Sequence, residues 1–188
     1  SLGDDENKAK MAASLLLTLP GSPYLYNGEE LGMKGMKPDP DIREPFVWDS
    51  TGVDEGQAKW RKLKYNTFDQ TPGFEQQKMD RNSMFQHYRR LIRARKSSIA
   101  LTIGRLETTE ITVDGLITFE RVHQRQRLLV IHNETSNAIT CPLPEAAFHD
   151  NGLRYVYPYD SNINMPDLME QKELSIKPYA SVALELKQ

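Results

Sequence analysis

An α/β segment followed by an all-β antiparallel sandwich is the fold class this sequence predicts, and three observations predict it. Apolar residues recur at helical spacing before a Pro-Gly stop near the start, and an aromatic run follows at once. A long tract rich in Pro, Gly and Asp, without sustained periodicity, separates this from a second helical stripe. After Ser98 the texture changes to short β-branched or aromatic runs divided by turn residues. A boundary near residue 98 follows, with domains 1–98 and 99–188.

In "DDENKAKMAASLLLTLPG", Asp4 and Asp5 are candidate N-caps, and Ala9, Ala12, Leu15 and Leu16 form the stripe that Pro20-Gly21 ends. "SPYLYNGEE" is too short for another helix and reads as a buried strand leading into a loop at Asn27-Gly28. Helix, tight turn and strand make half of a parallel βα repeat. The tract from Gly32 to about Phe74 reads as one long loop, of the kind that is either functional or partly disordered. "DRNSMFQHYRRLIRARKSS" carries Met84, Tyr88, Leu91 and Ile92 on one face, with Asp80 or Asn82 as cap. Arg93, Arg95 and Lys96 then suit the negative C-terminal end of that helix. The strands expected next are "ALTIGRLE", "GLITFERVH", "RLLVIHNE", "AITCPL", "LRYVYPYD", "ELSIK" and "ASVALELK", with Leu129, Ile131, Val182, Leu184 and Leu186 facing a core.

Charge and composition narrow the function classes. With 24 basic and 26 acidic residues among 188, the net charge of −2 gives no field that would draw nucleic acid or an anionic membrane. No apolar run reaches the roughly 20 residues of a membrane span. "MAASLLLTL" follows the acidic "GDDE" and lacks a basic leader, so it does not read as a secretory signal. Cys141 is the sole cysteine and cannot form an intrachain disulfide. The compartment stays open.

Three motifs carry a family resemblance. "LLLTLPGSPYLYNGEELGM" resembles the segment that ends the (β/α)8 TIM barrel of α-amylase family (glycoside hydrolase family 13) enzymes, with Gly21, Pro23, Tyr26, Gly28, Glu29 and Glu30 on the pattern and Asn27 breaking the usual double tyrosine. "DIREPFVWD" is similar to the Arg-x-Pro-Met-x-Trp-Asp element of oligo-1,6-glucosidases and neopullulanases, through Arg43, Pro45, Trp48 and Asp49, with Phe46 in place of methionine. "YRRLIRARKSSIAL" resembles the last barrel helix and the passage into the family's C-terminal β-sandwich. The resemblance implies that 1–98 is helix seven, strand eight, the active-face loop and helix eight of an incomplete barrel, and that 99–188 is domain C. It further implies a retaining glycosidase acting on α-glucans or malto-oligosaccharides. The three catalytic carboxylates of that family belong to segments with no counterpart here, so the chain is expected to be an inactive C-terminal fragment whose partner is the missing N-terminal barrel.

The candidate site residues are therefore walls of a pocket. Glu29 and Glu30 are adjacent, and neighbours in sequence cannot flank a glycosidic bond about 5 Å apart as a retaining pair must. Glu30 is expected to shape the barrel mouth by bonding neighbouring loops. Trp48 offers an indole face to a glucose ring, and Arg43 a fork of donors to hydroxyls or to a loop carboxylate. The bland alternatives are an Arg43 pair with Asp39, Asp41 or Asp49, and a Trp48 that only fills its loop. Tyr24 and Tyr26 share a strand face and are expected inside the barrel. Asp39, Asp41 and Glu44 lack a calcium-loop ligand order and are expected to be solvated. His87, His123, His132 and His149 have no ligand spacing. No cofactor or metal is expected of these residues, and calcium is an option only for the intact enzyme. "RRLIRARK" reads as the exposed face of a packed helix.

Two alternatives stand beside this. One keeps the family and changes the reaction to α-1,6 cleavage or transglycosylation. The other makes the β-sandwich a stand-alone carbohydrate-binding or interaction module, with Tyr155, Tyr157 and Tyr159 alternating on one strand as its aromatic platform.

Overall fold

The computed structural model describes residues 2–150, 152–157 and 172–188. They form two compact units: residues up to Pro23 together with Arg90 onward, and Tyr24–Arg89. This is a different partition from a single cut near residue 98. Its cause lies in α1 (Glu6–Thr18), which packs on the β-sheet of the first unit.

Helix α1 starts where the sequence suggests. The Asp5 carboxylate accepts from the backbone N–H of Asn7 at 2.9 Å and of Lys8 at 3.2 Å, satisfying two of the donors that a helix start leaves free. In the second unit lie α2 (Asp39–Ile42) and α3 (Phe74–Met79); α4 (Met84–Ser97) runs from that unit into the first. The cap of α4 is Ser83, neither Asp80 nor Asn82: its Oγ accepts from Gln86 N at 3.2 Å, which is capping geometry.

Residues Ile99–Ile103 form helix α5, where the sequence reading expected a strand. Ser98 Oγ accepts from Leu101 N at 3.1 Å, and Gly104 N bonds back to Ala100 O, so one cap and one stop outweigh the β-branched pattern of five residues. The remaining strands are β1 (Arg105–Glu107), β2 (Leu116–His123), β3 (Gln126–Asn133), β4 (Ile139–Pro142), β5 (Phe148–His149), β6 (Gly152–Tyr157), β7 (Glu173–Ile176) and β8 (Ser181–Leu186). Six form an antiparallel sheet in the order β1-β2-β3-β8-β6-β5, and β4 pairs with β7.

One apolar core lies between the two sheets. Leu129, Ile131, Leu184 and Leu186 contribute to it as expected, with Cys141, Leu174 and Ile176 from the smaller sheet and Val182 partly buried against it. The large sheet is also buried on its other face. Leu128 and Val130 are fully covered there, because α1 and α5 pack on β3. A sheet covered on both sides loses the polar alternation of a half-exposed one, which is why β3 reads as a continuous apolar run.

The α1 side of the sheet carries buried polar groups. His132 Nδ1 lies 2.7 Å from Ser181 Oγ, and Nε2 lies 3.1 Å from Thr18 Oγ1. Thr18 donates its hydroxyl to Ser14 O at 2.8 Å. Its lone pair therefore faces His132, so Nε2 holds the imidazole proton and Nδ1 accepts from Ser181. Burial pushes the His132 pKa down to about 4. Arg121, 0% exposed, donates to the carbonyls of Thr18 and Gly104; burial, then the charge of Arg95, brings its pKa down to about 10. Arg95 donates to Leu17 O at 2.7 Å, Leu19 O at 2.9 Å and Gly21 O at 2.6 Å. It is thus buried and ends α1, not an exposed residue of its own helix, and the C-terminal carbonyls of α1 receive two cations.

The expected strand at "SPYLY" does not form. Residues 22–26 carry no ladder, and Tyr24 is 89% exposed. A single extended segment without a hydrogen-bonding neighbour has nothing to pair with, and the side chains expected inside a barrel stay open.

Candidate functional site

The candidate residues Glu30, Arg43 and Trp48 all belong to the unit Tyr24–Arg89. It holds little regular structure, and buried polar side chains bonded to backbone fix its loops.

Glu30 lies in a 3-10 turn, Glu29–Leu31, entered through Gly28 at φ 92°. Its carboxylate accepts from Gly28 N at 3.0 Å, so it closes its own turn. The positive φ at Gly28 is what requires glycine; a Cβ there would also come 2.6 Å from the Met33 sulfur and push that side chain aside. Glu29 faces Tyr88 instead, at 3.5 Å between carboxylate and hydroxyl. Burial, then the Glu29 charge, pushes the Tyr88 pKa up to about 12.

Arg43 is exposed and pairs with Asp39 at 3.1 Å. The acids beside it are not solvated as a cluster. Asp41 is buried and accepts from Arg61 and from Lys64 Nζ. Glu44 is also buried, and its carboxylate accepts from the backbone N–H of Lys64 (2.7 Å), Tyr65 (3.1 Å) and Asn66 (3.0 Å) and from Asn66 Nδ2 (2.8 Å). Asn66 in turn bonds Lys34 N and Lys34 O, both at 2.7 Å. Glu44 and Asn66 thus tie three distant segments of the loop into one piece.

Trp48 is 39% exposed. Its ring meets Phe46 at 4.8 Å and Phe74 at 5.7 Å, and Phe74 meets Phe85 at 4.9 Å, each tilted or edge-on as aromatic pairs prefer. Next to it the Asp49 carboxylate accepts from the backbone of Thr51, Gly52 and Asp54, and the Thr51 hydroxyl, first among these causes, holds its pKa below the usual carboxylate range. Trp60 is exposed.

Each candidate is anchored by its own partner: Glu30 by Gly28, Arg43 by Asp39, Trp48 by two phenylalanines. Among the described residues no hydrogen bond or ion pair joins the three. The residues that sequence reasoning missed are Gln57, Asn66 and Gln77, all buried. Uncharged amides inside a polar loop carry no sequence signal of burial. What the arrangement offers chemically is one partly open aromatic face, with a guanidinium on the same loop.

Among the described residues, Tyr155 and Tyr157 do not share one face. Tyr155 pairs with Leu184 and Tyr157 with Ala183, so a register shift between them turns the two rings to opposite faces. Tyr155 packs against the core and Tyr157 is buried, with its hydroxyl bonded to Ser14. Tyr159 lies outside the described residues.

Comparison with known proteins adds sequence and fold relationships to this geometry. The family model "Alpha amylase, catalytic domain" matches residues 1–104, and the model "Alpha-amylase SusG C-terminal domain" matches residues 116–183. "Alpha-amylase 3" of Dictyoglomus thermophilum is 27% identical over 98% of this chain and 35% of its own length. "4-alpha-glucanotransferase" of Thermotoga neapolitana is 34% identical over 70% of this chain and 30% of its own length. The solved α-amylase from H. orenii superposes with a TM-score of 0.77 at 31% identity, over 99% of this chain and 36% of that one. The chain therefore spans about a third of the length of the relatives it matches.

Proposed function

Because this chain belongs to the α-amylase family, we propose that the protein containing it is a retaining glycoside hydrolase acting on α-glucans or malto-oligosaccharides. The match of residues 1–104 to the family's catalytic-domain model carries the reading. On this reading residues 1–98 are the last helices and strand of a (β/α)8 barrel with their active-face loop, and residues 99–188 are the C-terminal β domain. "SPYLY" is then strand eight, whose ladder partners are barrel strands outside this chain.

The chemistry of such an enzyme is a double displacement. One carboxylic acid protonates the glycosidic oxygen, a second carboxylate forms the glycosyl-enzyme, and water resolves it. Nothing in these 188 residues matches the segments that carry those carboxylates, so this chain supplies walls. Trp48 is assigned to stack on a sugar ring, Arg43 to donate to hydroxyls once drawn from its solvent-exposed pair with Asp39, and Glu30 to hold the turn at the barrel mouth. Asp41 and Glu44 already serve cations and backbone donors, so these two offer no metal site on this reading, and calcium is an option only for the intact enzyme.

A glucanotransferase among the relatives supports a second reading, in which a sugar acceptor replaces water. The test uses the full-length protein and this chain side by side, on soluble starch and a chromogenic maltoside. The full-length protein is expected to release reducing sugar with retained configuration, and this chain none. Longer oligosaccharides among the products would favour transfer. Turnover by this chain that Glu30→Gln abolishes would place the active site here and overturn the assignment.

A further inference from the structure

We propose that Gln57 is a positioning residue that sets the Trp48 indole for the sugar, an inference that rests on the reading of Trp48 given above. The backbone of residues 46–48 is held by two sets of partners. Phe74 N donates to Val47 O and Glu75 N to Trp48 O, both at 3.0 Å. One side chain supplies the rest among the described residues: Gln57 Oε1 accepts from Trp48 N at 3.2 Å, and Gln57 Nε2 donates to Phe46 O at 2.9 Å. A primary amide offers one acceptor and two donors, so it can meet the N–H and C=O of alternate residues as a neighbouring peptide group would.

The clamp is itself held. Gln57 is 6% exposed, its second amide proton goes to Ala58 O at 3.2 Å, and its backbone N–H donates to Asp54 O at 3.0 Å. The Asp49 carboxylate accepts from Asp54 N at 3.0 Å, so the turn that carries Gln57 is tied to the residue after Trp48. Trp48 thus sits in a closed circuit, 46–48 to 57 to 54 to 49. The two phenylalanines fix the tilt of its ring, and the circuit fixes the backbone from which the ring projects. A sugar stacks productively only on a ring already in place, since ordering a mobile side chain on binding subtracts from affinity.

The experiment reads Trp48 directly. In the full-length protein the Trp48 signal is read as the difference between the parent and Trp48→Phe, which removes this indole alone. Gln57→Ala is expected to raise the iodide quenching of that difference signal and lower its fluorescence anisotropy. It is also expected to raise KM for a malto-oligosaccharide by roughly fivefold, the equivalent of one lost hydrogen bond, with kcat and turnover of a small activated glucoside unchanged. Gln57→Glu keeps the acceptor for Trp48 N–H and loses the donor to Phe46 O; it should fall between, and it serves as the variant if Gln57→Ala fails to fold. A Gln57 variant that lowers stability but leaves quenching and KM at the parent values makes Gln57 a loop staple only and overturns the inference. If Trp48→Ala affects both substrates equally, the sugar role of Trp48 fails and the inference falls with it. If Trp48→Ala separates them and neither Gln57 variant does, the inference alone fails.

Discussion

The sheet of the first unit and the loops between Tyr24 and Arg89 are held together by opposite means. In the sheet, β2, β3 and β8 run six to eight residues in unbroken antiparallel register, and the groups beneath them are Leu129, Ile131, Leu184 and Ile176. Backbone pairs with backbone, and side chains supply apolar area. In the loops the backbone pairs with side chains: Glu44 gathers three consecutive N–H groups, Asp49 three more, Gln57 bridges Phe46 and Trp48, and Gln77 donates to Leu31 O and Pro72 O. A chain that must present irregular walls cannot use ladders, yet its buried polar groups still need partners. Polar side chains take that role, and each works at one place.

The difference sets how damage should spread. The largest loss is expected from Leu129→Ala, about 4 kcal/mol, since a buried leucine truncated in a tight core leaves a cavity. It should lower protection from hydrogen exchange throughout β3 and β8 together. Protection lost only at residue 129 and its neighbours would show that the sheet is not one cooperative unit.

Acid should open the α1 side of the sheet. The folded pKa of His132 is near 4, below the ordinary value of 6.5. Between those values the unfolded chain binds the extra proton, so stability is complete above about pH 6.5 and falls as pH drops toward 4. Below about pH 4 this group adds no further loss. Fully expressed, the difference is about 3 kcal/mol. Carboxylates titrate in the same range, so the check is the difference in urea stability between the parent and His132→Gln from pH 7 to 4. It should narrow with falling pH, and a constant difference would remove His132 as the cause.

Glu44→Gln should do least to the whole and most to one place. One carboxylate oxygen becomes a donor facing donors, at a cost of about 2 kcal/mol. Fast amide exchange should appear at Lys64, Tyr65 and Asn66 while β3 keeps its protection. Uniform acceleration across both units would erase the contrast between them.

The sequence made the periodic half of this molecule legible. Asp5, the extent of α1, most strands from Leu116 onward and the inward set of Leu129, Ile131, Leu184 and Leu186 follow from spacing alone, because repeats of 2 and 3.6 residues are local. The face of α1 does not: Ala13, Ser14, Leu17 and Thr18 are buried, while Leu16 of the expected stripe is exposed. Ile99–Ile103 misled because Ser98 and Gly104, one residue each, outweigh five residues of β propensity. Tyr155 and Tyr157 misled because the bulge between them has no residue signature. Arg95 was assigned to its own helix end, though its partners Leu17, Leu19 and Gly21 lie more than 70 residues earlier. In the candidate site the aromatic Trp48 and cationic Arg43 were visible as residue types. The groups that fix the loop, Glu44, Gln57 and Asn66, were not, since what defines them is a partner far along the chain.

The two cations at the end of α1 also set a timetable for folding. Helix α1 is complete once Thr18 is made, but the Leu17 carbonyl waits for Arg95, 78 residues later, and the Thr18 carbonyl waits for Arg121, 103 residues later. At roughly 5–20 residues per second, a ribosome reaches Arg121 on the order of 5 to 20 s after Thr18. Until then the Thr18 carbonyl lacks the partner it has in the folded unit, and Ala13, Ser14, Leu17 and Thr18 lack the strands that cover them. Docking of α1 on its sheet is therefore gated by the arrival of β2 and the strands after it.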